Sequence, residues 1–127
     1  MLLSQEKLDV NKIYKQWYYD LYSENTAFYR AVEIGNVEII NLLLTNSKID
    51  VNIPFKSIYS WIDYEKGTVT DQVKLPLHVA VEKGNVDVIK ILLKNKNVDR
   101  NAKDFYGKRP IDFTQDIKIK QLLNEYI

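Results

Sequence analysis

The sequence predicts an all-α solenoid: about three stacked helix pairs, an N-terminal capping helix, and an extended inter-repeat loop or β-hairpin. Three observations carry that expectation. The segment Ala31-Val32-Glu33-Ile34-Gly35-Asn36-Val37 returns as Ala80-Val81-Glu82-Lys83-Gly84-Asn85-Val86 with a single change, 49 residues on. The same spacing pairs Leu43-Leu44 with Leu92-Leu93, Asn46 with Asn95, Asp50 with Asp99 and Asn52 with Asn101. A proline, Pro76, recurs as Pro110 after 34 residues. Agreement over nearly thirty gapless positions is the signature of a repeat.

At the N-terminus, Val10, Ile13, Tyr14, Trp17, Tyr18 and Leu21 are spaced as one helical face. Ser4 suits an N-cap and Leu3 with Leu8 a hydrophobic staple, so a helix over residues 5–22 is expected to cover the first repeat. Trp17 and its tyrosines are read as core packing for that cap, with a binding site as the alternative.

Each repeated half holds a short apolar segment stopped by Gly-Asn, since glycine reaches positive φ without a steric penalty. A second helix follows. Val37, Ile40, Leu43 and Leu44 form its apolar stripe, repeated by Val86, Ile89, Leu92 and Leu93. Such a pair cannot bury its apolar side alone and needs a stacked neighbour. A third, shorter copy is expected from Asp104 onward. Tyr106-Gly107 marks a turn, Pro110 suits a first helical position, and Asp116 can cap a last helix carrying Ile117, Ile119, Leu122, Leu123 and Tyr126.

These residues resemble the ankyrin repeat. LPLHVAVEKGNVDVIKILL at 75–93, TAFYRAVEIGNVEIINLLL at 26–44, DVN at 50–52, DRN at 99–101 and DFYGKRPID at 104–112 carry the resemblance. It implies a single domain: a capping helix in 1–25, a first repeat in 26–53, an insertion in 54–73, a second repeat in 74–103 and a C-terminal capping repeat in 104–127. The chain departs from the pattern at Leu75 and Arg109 (threonine in the family), Tyr29 and Asp112 (histidine) and Arg100 (valine). Those departures predict locally weaker hydrogen bonding between repeats.

The spacing of 49 against 34 leaves 15 extra residues between Asn52 and Leu75. In this family that loop forms the projecting finger. Here it carries Phe55, Tyr59, Trp61 and Tyr64, then Glu65-Lys66-Gly67 as a turn signal and Thr68-Val69-Thr70 with strand character. An elongated β-hairpin is expected, with Tyr59, Trp61 and Asp63 on one face.

Composition narrows the function. Eighteen basic and 17 acidic side chains leave a net charge of +1, which argues against nucleic acid or an anionic membrane as partner. With no cysteine, thiolate catalysis and cysteine metal sites are excluded. The N-terminus lacks a secretory pattern and no apolar run reaches membrane-spanning length, so the chain reads as intracellular, cytoplasmic and complete. His78 is the only histidine and falls on the bracing histidine of the ankyrin motif. Asp63 and Glu65 form an acidic pair with nothing visible to raise a pKa. The chain is therefore read as non-enzymatic, with no metal and no cofactor.

What remains is a protein-binding module: an adaptor, an inhibitor or a host-interacting factor. The resemblance implies contact positions at loop tips and first-helix ends: Phe105, Tyr106 and Lys108, Glu82 with Lys83, and Glu33 with Ile34. The insertion adds Tyr59, Trp61 and Tyr64, with a homodimer as a second way to cover them. The alternatives are a nucleic-acid surface of Arg100, Lys103, Lys108 and Arg109 beside Phe105 and Tyr106, and an accessory domain of a larger enzyme.

Overall fold

Thr26 opens the first helix pair. In the computed structural model, which describes residues 9–19, 21–59 and 72–126, its Oγ1 accepts the Tyr29 N–H at 3.1 Å and starts α1, Ala27–Ile34. Gly35, at φ 82°, ends it and donates to the Ala31 carbonyl at 2.9 Å. Asn36 then caps α2, Val37–Leu44, through the Ile39 N–H. The second pair repeats the design, with α3 at Pro76–Lys83, Gly84 at φ 69°, Asn85 as cap, and α4 at Val86–Lys94.

The helix pairs stack through α1 and α3. Ala31 and Ala80 are both buried, Ala80 completely. Around them lie Phe28, Tyr29 and Val32 of α1, Leu77, Val79 and Val81 of α3, and Val88, Ile89, Leu92 and Leu93 of α4. Four of those last residues and Ala80 are at 0% exposure, so the centre of the core is the second unit.

The expected third helix pair is only half a pair. Pro110–Phe113 forms a 3₁₀ turn, and α5, Ile117–Glu125, follows with Asp116 accepting from Lys118 and Ile119. Too few residues separate Pro110 from Asp116 to hold a full helix and its turn. Ile119 and Leu123 bury against the stack, while Ile117 stays in solvent.

The all-α expectation is corrected by a four-stranded antiparallel sheet, in the order β1-β2-β3-β4. Among the described residues from 9 to 22 none is helical. Tyr14–Tyr18 (β1) and Leu21–Asn25 (β2) form a hairpin that closes between Tyr18 and Leu21, with Tyr19 at φ 50°. Ser4 and the Leu3–Leu8 staple lie outside the described residues. The local reason is composition, because aromatic residues pack well on a pleated surface. The decisive reason is tertiary: β2 hydrogen-bonds to β3, Phe55–Tyr59, with Leu21 opposite Tyr59 and Glu24 opposite Lys56. β4, Gln72–Lys74, pairs β3 with Phe55 opposite Lys74. The base of the insertion is thus a hairpin, while Trp61 and Tyr64 fall outside the described residues.

Candidate binding surface

Register assigns the two faces of the sheet, since directly opposed residues share a side. Tyr14, Gln16, Ser23, Asn25 and Phe55 share the face turned to the helices; Trp17, Tyr22 and Ile58 line up on the other. On the helix side, Phe55 stacks on Tyr29 with ring centroids 5.2 Å apart and planes 16° from parallel. A groove of about 550 Å³ runs between that face and α1, lined by Tyr14, Gln16 and Ser23 from the strands, Arg30 and Glu33 from the helix, and Phe55. Arg30 and Glu33 are an ion pair one helical turn apart. Aromatic, amide and charged groups therefore face each other across a trough open to solvent.

The second unit repeats part of this. Glu82, one repeat after Glu33, pairs with Lys74 of β4 at 2.8 Å. Both carboxylates lie close enough to Tyr29 to reinforce the effect of its burial, which pushes the phenol well above its ordinary range. Glu33 and Glu82 thus share the inner side of the stack. Ile34 and Lys83, one residue further along, are exposed at the helix ends, Ile34 at 69%.

Phe105 and Tyr106 sit at a turn held by Asp104, whose Oδ1 accepts the N–H of Tyr106 (2.9 Å) and of Lys108 (2.7 Å). Gly107 takes φ 78° to close it. The rings meet edge to face at 5.3 Å and remain 55% and 61% exposed, so they pack on each other rather than into the third unit. Lys108 and Lys74 both lie over Phe113, framing a small hollow of about 190 Å³ beside Tyr106.

His78 ties this turn to the stack. Its Nδ1 accepts the Leu75 N–H at 3.1 Å, so the ring proton sits on Nε2, which donates to the Lys108 carbonyl at 3.0 Å. Burial lowers its pKa below the usual imidazole value. The departures at the three cap sites each leave half of a reciprocal cap. Thr26 supplies the hydroxyl half, His78 the returning half, and Asp112 the same half by accepting the Arg109 N–H at 2.8 Å.

Two residues of the basic–aromatic alternative are engaged internally. The Arg100 guanidinium donates to the Leu93 carbonyl at 2.6 Å at the end of α4, and Arg109 pairs with Asp112. Further exposed aromatic surface comes from residues whose leading sequence reading is core packing, with a binding site as the alternative. Trp17, Tyr18 and Tyr19, expected in the core of a cap, are 75%, 71% and 88% exposed. Trp17 leans on Tyr22 at 4.4 Å, and the Tyr22 hydroxyl donates to Glu24 at 2.6 Å. No alternation of apolar and polar residues marks the strand, since Lys15 shares a side with Trp17 and Gln16 with Tyr18; aromatic content is the local signal there.

The family model described as ankyrin repeats (many copies) matches residues 67–113, and that described as ankyrin repeat matches residues 23–56. The chain belongs to the ankyrin repeat family, whose members generally serve as protein-interaction modules and are typically non-enzymatic. No curated protein matches the chain. Among the described residues no helix is long and apolar enough to cross a membrane.

Proposed function

We propose that the chain is a non-enzymatic adaptor or inhibitor that holds an extended segment of another protein along the inner side of its stack. Support comes above all from the groove between α1 and the finger sheet, whose open trough presents Tyr14, Gln16, Arg30 and Glu33 to one ligand. Groups of mixed charge beside aromatic surface suit a polypeptide, which offers amides, apolar side chains and both charges. Phe105, Tyr106 and Lys108 extend the surface at the far turn, with Glu33, Ile34, Glu82 and Lys83 between. Tyr59, Trp61 and Tyr64 are assigned to it on sequence grounds. Exposed aromatics of this kind are the usual anchors of protein interfaces.

The test is affinity capture with the full chain, followed by titration of the identified partner against three variants. Tyr106→Ala and Tyr14→Ala should weaken binding by about 2 kcal/mol or more if they are anchors, with unchanged melting temperature. Lys90→Ala, on α4, should bind as the parent. Equal binding by all three would reject the assignment of the inner surface.

A further inference from the structure

The first and second units carry apolar residues at equivalent positions of their second helices but differ in cover. Ile39 is 45% exposed, whereas its equivalent Val88 is at 0%; Leu42 is 69% exposed, whereas its equivalent Ile91 is half-buried. Leu43 and Leu44 are also half-buried, against 0% for Leu92 and Leu93. Both units have a neighbour on their following side: α3 and α4 after the first, the 3₁₀ turn and α5 after the second. Among the described residues only the second also has helices on its preceding side. The missing cover of Ile39 and Leu42 is therefore that of a preceding helix pair. A terminal repeat ordinarily carries polar residues there.

The segment ahead of β1 says what belongs on that side. Asp9 Oδ1 accepts the Asn11 N–H at 2.9 Å, as Asp50 does for Asn52 and Asp99 for Asn101. Asn11 then bonds the next loop at both ends, donating to the Lys48 carbonyl (2.8 Å) and accepting from the Asp50 N–H (2.7 Å). Asn52 makes the same two bonds to Asn97 and Asp99, at 2.6 and 2.9 Å. Residues 9–11 thus occupy the place that closes a second helix, and β1–β2 the place of its finger. The sequence agrees: LLSQEKLDVN at 2–11 matches LLTNSKIDVN at 43–52 without a gap, identical at both leucines, the lysine and Asp-Val-Asn. In α2 the double leucine forms the last two residues of the helix.

We propose that the open side of α1–α2 is a stacking surface for one further ankyrin-type helix pair, whose closing loop is residues 9–11 and whose finger is β1–β2. This goes beyond the partner-binding reading and does not depend on it.

The experiment joins the chain's own residues 75–91, the helix pair of the second unit up to its double leucine, directly ahead of Leu2. Expected is a single unfolding transition at higher denaturant than the parent chain, as nearest-neighbour stacking requires. Amide exchange across α2 should slow by about tenfold or more. Leu42→Asp should lower the midpoint of the extended chain while leaving the parent's almost unchanged. A separate transition for the added segment, with α2 exchanging as before, would overturn the proposal. So would a parent chain that sediments as a dimer dissolved by Leu42→Asp, because the surface would then belong to a second copy.

Discussion

Asn52 spans two loops at once: its Nδ2 donates to the Asn97 carbonyl at 2.6 Å and its Oδ1 accepts the Asp99 N–H at 2.9 Å. One side chain thereby fixes the register between successive units. Asn52→Ala removes both bonds and should cost about 1–3 kcal/mol, the range for two net hydrogen bonds. Chemical denaturation measures it. Asn52→Asp keeps the acceptor and loses the donor, so it should fall between the two.

Leu92 and Ala80 test the core from opposite directions. Leu92→Ala should cost about 2–5 kcal/mol by opening a cavity at a fully buried position. Ala80→Leu should cost about 1–3 kcal/mol by forcing α1 and α3 apart where they pack. Unchanged midpoints in both would place the core elsewhere.

Gly35 should not accept a side chain. Its φ of 82° lies in the left-handed region, and an added Cβ would stand 2.9 Å from Asn85 Nδ2. Gly35→Ala should destabilise by about 1–2 kcal/mol from the backbone term alone. Gly84→Ala, where nothing lies within 4 Å, should show only that term. The difference between the two variants reports the contact with Asn85.

His78 makes stability fall on mild acidification. Burial favours its neutral form, so its folded pKa lies below the unfolded value of about 6.5. The unfolded chain binds the proton first. The contribution is complete above about pH 6.5 and is lost as pH falls from there toward the folded pKa, at no more than about 1.4 kcal/mol per pH unit. His78→Gln should flatten that part of the stability–pH curve. It should also lower stability at pH 7.5, because the links to Leu75 and Lys108 are disturbed.

How much was legible in the sequence differs from one element to the next. Gly35, Gly84, Asn36 and Asn85 announce their roles locally: a stop needs positive φ, and a cap needs a short side-chain acceptor. The Val-x-x-Ile-x-x-Leu-Leu stripe then forces a buried side. Asp116 as the cap of α5 follows from the same chemistry. Phe105 and Tyr106 were legible as exposed because the turn that holds them is written in Asp104 and Gly107. What was not legible is whatever depends on a distant chain segment. The run from Tyr14 to Asn25 satisfies a helical spacing while its aromatic content suits a strand, and only pairing of β2 with β3 decides between them. The groove beside Arg30 and Glu33 exists only because that choice brings a sheet face over α1. The sequence by itself determined the first two helix pairs and their caps, since these rest on contacts within a few turns of chain, and the repeat announced the order in which they stack. The tertiary structure alone decided that the N-terminal aromatics form a finger rather than a cap, because hydrogen bonds between strands far apart in sequence outweigh a weak local preference.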